Sequence, residues 1–132
     1  MISRRVFAGC GLCAAAGLMA TSVSAQGNPG FSRSILNRAE MAGTNLDTIQ
    51  VAVAIDPKAV VARHTHPGTE SGVVVEGGGT LQIEGQPDRA VKAGDTFFVP
   101  RGVPHALLNS DAKTRVVSTY TVDRDKPLAS PA

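Results

Sequence analysis

Cysteine, tryptophan and any charge imbalance are what this 132-residue chain has least of. Its two cysteines, Cys10 and Cys13, both lie in the first 25 residues, and none follows. The body of the chain therefore gains nothing from disulfides. There is no tryptophan, one tyrosine and four phenylalanines, so a core must be built mostly from Val, Leu, Ile and Ala. The formal net charge is +2, but Arg4 and Arg5 supply two of the 13 Lys and Arg, and the other 11 face 11 Asp and Glu. A neutral body without a Lys/Arg cluster gives no support to nucleic-acid binding. The one continuous apolar stretch, residues 6–19, is too short and too rich in Gly and Ala for a good membrane span. What is plentiful is turn chemistry. Fourteen glycines and eight prolines, with many β-branched residues, favour one all-β domain over a helical one.

Residues 1–25 have the three parts of an export signal: the basic pair Arg4-Arg5, the apolar stretch, and Val23-Ser-Ala25 as a cleavage site. Ser3-Arg-Arg-Val-Phe7 resembles the twin-arginine signal, which implies export after folding and a periplasmic or secreted bacterial protein. Cys10-Gly-Leu-Cys13 has redox or zinc spacing but sits in this apolar segment, so it is set aside with the leader. No stable membrane span is expected after processing.

The expected organisation is a signal peptide over 1–25, an N-terminal lead-in over 26–45, a β-barrel over 46–122 and a C-terminal tail over 123–132. Within the lead-in, 36–40 reads equally as a helical turn or a strand. From Leu46 the period is two: Ile49, Val51, Val53 and Ile55 alternate with Gln50, Ala52 and Ala54. Further short strands follow, over 60–66, 72–76, 80–84, 89–92, 96–99, 105–108 and 113–122, separated by Gly, Pro and Asp turns. About eight strands at even spacing indicate a sandwich or barrel.

The chain has three histidines, and all fall in one pattern. His64 and His66 are two apart on an expected strand, so both imidazoles share a face. Glu70 follows the turn at Pro67-Gly68, which is expected to fold its carboxylate back beside them. Gly102 and Pro104 form a tight turn that presents His105. Three imidazoles and a carboxylate suit one divalent first-row metal: Mn, Fe, Ni, Cu or Zn.

These residues resemble the cupin superfamily. The first family motif stands as His64-x-His66-x-x-x-Glu70 followed by Gly77, and the second as Gly94, Pro100-x-Gly102, His105 and Asn109, with 16 residues between Gly77 and Gly94. The resemblance covers about 58–109. It implies a double-stranded β-helix (jelly-roll) barrel in which His64, His66, Glu70 and His105 hold the metal. It assigns Gly77, Gly94, Pro100, Gly102 and Asn109 to turns and strand ends. Two departures stand out. Lys58 replaces a usual glycine, so the turn before the first ligand strand is expected to differ. Val73 replaces a frequent tyrosine, so one aromatic is expected to be missing near the pocket.

Within the superfamily the chain is most similar to small quercetin dioxygenase-like proteins. That likeness implies a metal-dependent dioxygenase-type oxidoreductase acting on an oxygen-rich small molecule, and it makes a homodimer plausible. A metal-dependent isomerase or lyase would use the same ligands, and so would a cupin that binds a metal or a small molecule without turnover. Tyr120, the one phenol, could line the pocket, but a place in the core or at the surface is expected. Arg63 and Arg101 flank the ligands and could attract an anion, but are expected simply to be exposed.

Overall fold

The computed structural model describes residues 30–132; the expected leader, with Arg4, Arg5, Cys10 and Cys13, lies outside them. Strands form wherever apolar and polar residues alternate. In β2 (Leu46–Ile55), Asp47, Ile49, Val51 and Ile55 are buried. In β9 (Thr114–Asp123), Val116, Ser118, Tyr120 and Val122 are buried, while their neighbours stay outside. The strands pair antiparallel in the register Ile49↔Tyr120 and Val51↔Ser118, so their buried faces coincide.

Two five-stranded antiparallel sheets close over these faces. One runs β1 (Phe31–Glu40), β2, β9, β4 (Gly68–Glu76), β7 (Thr96–Val99). The other runs β10 (Ser130–Pro131), β3 (Val60–Thr65), β8 (His105–Asn109), β5 (Gly78–Ile83), β6 (Arg89–Lys92). The described residues are all-β, a jelly-roll barrel as expected. The interior between the sheets holds one cluster of Val74, Leu81, Ile83, Val91, Val99 and Val116, and another of Ile49, Val51, Tyr120 and Val122. Each buried Val, Leu or Ile side chain contributes about 1.5–3 kcal/mol.

Several expectations need correction. The segment read as a lead-in carries β1, which pairs with β2 from Phe31↔Ile55 to Glu40↔Asp47. Its inward side holds Arg33, and a register shift between Ile35 and Asn37 changes its phase, so no clean alternation marks it in the sequence. The segment read as a tail returns to the barrel: β10 pairs with β3 at Thr65 and His64. The strand expected at 72–76 begins at Gly68, which places Glu70 inside β4 rather than in a loop.

Lys58 adopts a φ of 61°, the left-handed conformation that glycine takes without strain. The turn before β3 therefore keeps the shape a glycine would give it, at a cost of about 1 kcal/mol. The Lys58 amide donates to the Ser110 carbonyl at 2.7 Å and secures that turn. Asn109 is the fastener on the other side, its Nδ2 donating to the carbonyls of Asp56 at 2.7 Å and Ala112 at 3.1 Å.

Candidate metal centre

Strand register assembles the site. On β3 and β8, His64 stands directly opposite His105, beyond an irregularity between Val61 and His64, and their ring centroids are 4.2 Å apart. Across the barrel, on β4 and β9, Glu70 stands opposite Tyr120. His66 lies on the connection that carries the chain from β3 to β4, that is, from one sheet to the other. The ligand atoms of His64, His66, Glu70 and His105 all fall within 4.8 Å of one another. The sequence named these four, and the barrel brings all four together. His66, Glu70 and His105 are buried and His64 is half-buried.

Each histidine is oriented by a backbone carbonyl at Nδ1. His64 meets Ala62 O at 2.7 Å, His105 meets Val103 O at 3.0 Å, and His66 meets Leu128 O at 2.6 Å. A carbonyl only accepts, so each Nδ1 carries a proton and donates it. In the neutral ring that leaves an Nε2 lone pair, the arrangement common to metal-bound histidines. Burial, the largest influence on His64, pushes its pKa down to about 4, so it is neutral at pH 7.

Glu70 is fixed from the other side. Its Oε1 accepts from Ser118 Oγ at 2.7 Å and from Tyr120 Oη at 3.1 Å. Its Oε2 lies 3.0 Å from His66 Nε2 and 3.1 Å from His105 Nε2. Burial by itself would raise the Glu70 pKa. The Ser118 hydroxyl, together with His105 and His66 whenever their Nε2 atoms carry a proton, outweighs it and holds the group well below the usual carboxylate range. Burial, followed by the Glu70 charge, pushes the Tyr120 phenol up, so it remains a neutral donor.

This geometry tests the fit of a metal directly. With Nδ1 protonated, the Nε2 lone pairs of His66 and His105 would face a carboxylate oxygen, acceptor against acceptor. His66 Nε2 is close to Glu70 Oε2, yet it is buried without a hydrogen-bond partner. A cation between them turns that conflict into attraction. Donors about 2.1 Å from a common centre lie roughly 3–4 Å apart, and the Glu70 Oε2 contacts with His66 and His105, at 3.0 and 3.1 Å, fall in that range. The residues fit one divalent metal, held by three imidazoles and one carboxylate.

Beside the ligands lies a cavity of about 60 Å³, walled by apolar side chains including Val53, Val74, Leu81 and Phe97. Gly72 makes room for one aromatic, because a Cβ there would sit 2.2 Å from the Phe97 ring. Val73 is not part of the wall. Its aromatics are Phe31, Phe97 and Tyr120. Tyr120 is a core residue, as expected, and it also lines the cavity. Its signal, and that of Ser118, was two hydroxyls on the buried side of β9 between Val116 and Val122. Arg101 forms a two-point ion pair with Asp123, at 2.9 and 3.1 Å, and Arg63 pairs with Glu84 at 3.2 Å.

The chain is 39% identical over 83 residues to oxalate oxidase GF-3.8 of Triticum aestivum, a match covering 56% of this chain and 37% of that one. It thus spans little more than a third of the length of that curated relative. Among solved structures, an oxalate oxidase in complex with the substrate analogue glycolate superposes with a TM-score of 0.62 at 27% identity, over 92% of this chain and 68% of that one. The lyase DddQ from Ruegeria pomeroyi, at 22% identity and a TM-score of 0.67 over 78% of this chain and 52% of that one, shares the fold. Residues 51–120, which include all four ligands, match the family described as the Cupin domain, and the chain belongs to that family.

Proposed function

We propose that this chain is a metal-dependent, dioxygenase-like oxidoreductase that consumes dioxygen and acts on a small, oxygen-rich molecule. The observation that carries the reading is the convergence of the buried His66 and His105 Nε2 atoms on Glu70 Oε2, with His66 Nε2 left without a hydrogen-bond partner, beside a largely apolar cavity. The likeness to oxalate oxidases supports an oxidase-type reaction over other cupin chemistries. A metal held there supplies Lewis acidity and, for manganese, iron, nickel or copper, one-electron chemistry with dioxygen.

The protein's own contribution is orientation and exclusion of water. Three carbonyls hold the imidazoles in one tautomer. Ser118 and Tyr120 occupy Glu70 Oε1 and leave Oε2 for the metal, which favours Glu70 as a ligand over a proton acceptor. The apolar wall keeps the dielectric low, so charge placed at the site is strongly felt. One observation favours a second reading, a cupin that binds without turnover. Apart from the ligands, Tyr120 is the one ionisable acid or base in the buried lining, and it is engaged with Glu70.

Oxygen uptake by the metal-loaded protein separates the two. The proposal expects uptake with at least one of oxalate, glycolate, enediols, flavonols or small dicarbonyls, and its loss in His105→Ala. Full metal occupancy with no uptake on any of them would favour the binding reading. We also propose that the protein is exported and acts as a homodimer. The exposed Ile35 and Leu36 of β1, at 63% and 49%, support the pairing. Cell fractionation and the solution mass of the purified protein test these two points.

A further inference from the structure

Of all the residues lining the metal-side cavity, Arg33 alone is exposed. It is also the cavity's one permanent cation. The β1–β2 register sets Arg33 opposite Val53, on the side of the sheet that faces the barrel interior, and Val53 is itself part of the wall. Phe31, two residues earlier on the same face, lies under the guanidinium, whose carbon is 5.2 Å from the ring centroid. A cation held over an aromatic face keeps its N–H edges available.

Arg33 has no ion pair and no side-chain hydrogen bond among the described residues. Arg38, Arg63, Arg101 and Arg124 each have an acidic partner; Arg89 and Arg115 have none, but neither lines the cavity. A positioned guanidinium with free donors is a fork for a carboxylate.

We propose that Arg33 is the specificity residue of this cavity, pairing with the carboxylate of a small organic acid whose other oxygen functions reach the metal. The substrate class is then a short acid with two oxygen-bearing ends, such as a dicarboxylate or an oxo or hydroxy acid. Neutral flavonols and uncharged enediols fall outside it. The inference rests on the functional reading above for the metal-bound end only; the anchoring of the carboxylate stands on Arg33 itself.

Calorimetric binding of malonate and of its monomethyl ester, to the full chain and to Arg33→Gln, tests the proposal. Metal content is measured first on both proteins. The wild-type protein is expected to prefer malonate over the ester by tenfold or more. Arg33→Gln is expected to lose that preference while keeping its metal and its melting temperature. Equal malonate affinity in the two proteins, or no malonate binding by either, overturns the anchor even if both hold metal. Absence of metal from the wild-type protein overturns the functional reading instead. In that case malonate binding to metal-free protein that still depends on Arg33 sustains the anchor, and binding that does not depend on it overturns the anchor.

Discussion

Glu70 Oε1 takes two hydroxyl donors and Glu70 Oε2 faces two imidazoles, so one carboxylate links both walls of the barrel. Outer partners of metal ligands typically control affinity by 10–100-fold. Tyr120→Phe removes one donor without changing side-chain shape, and Ser118 remains. We expect metal affinity to fall about tenfold, measured by competition with a chromophoric chelator; an unchanged affinity would contradict the role given to Tyr120. His64 offers a second test. Burial lowers its pKa from 6.5 in the unfolded chain to about 4 in the fold. Between those values the unfolded chain binds more protons, so the His64 contribution to stability is complete above about pH 6.5 and is lost as pH falls through about 4. An NMR titration of the metal-free protein should show the His64 ring titrating near pH 4. A midpoint near 6.5 would mean that the ring is not buried as described.

The element with the least obvious role is the C-terminal segment. The Leu128 carbonyl orients His66, the Leu128 side chain packs against the Ile49–Val122 cluster, and β10 pairs with β3 at His64. A chain ending at residue 127 is expected to lose 10–100-fold in metal affinity, whereas Leu128→Ala, which keeps the carbonyl, should lose much less. Equal affinities for the truncated and full-length chains, both folded by circular dichroism, would contradict this. This segment also shows why part of the fold was hidden in the sequence. β10 is two residues of Ser and Pro, and its pairing with β3 is a long-range contact that leaves no periodic trace. β1 was obscured by the bulge after Ile35 and by Arg33 on its inward side. By contrast, β2 and β9 alternate cleanly because one face is buried along most of their length, and both were legible. The turn at Lys58 was expected to differ and does not, because the lysine holds a glycine's conformation.

At the scale of the whole molecule, the ligands could be named from the sequence because three histidines and one glutamate stand at motif spacing. Their partners could not, because Ser118, Tyr120 and Leu128 lie 48, 50 and 62 residues from the ligands they hold. Only closure of the two sheets brings them into contact. The same closure would make a bound metal part of the fold's energetics. A ligand at 100 times its Kd adds about 2.7 kcal/mol to stability, so loading should raise the melting temperature. The central claim is that His64, His66, Glu70 and His105 together hold one divalent transition metal. Its most direct test is metal analysis of the purified full chain, combined with X-ray absorption at the edge of the metal found. The account predicts one metal per chain with three imidazole nitrogens in its coordination shell, and loss of that metal in a folded His105→Ala protein. A wild-type protein that stays metal-free after exposure to manganese, iron, nickel, copper and zinc would contradict it, as would a His105→Ala protein that keeps a full equivalent.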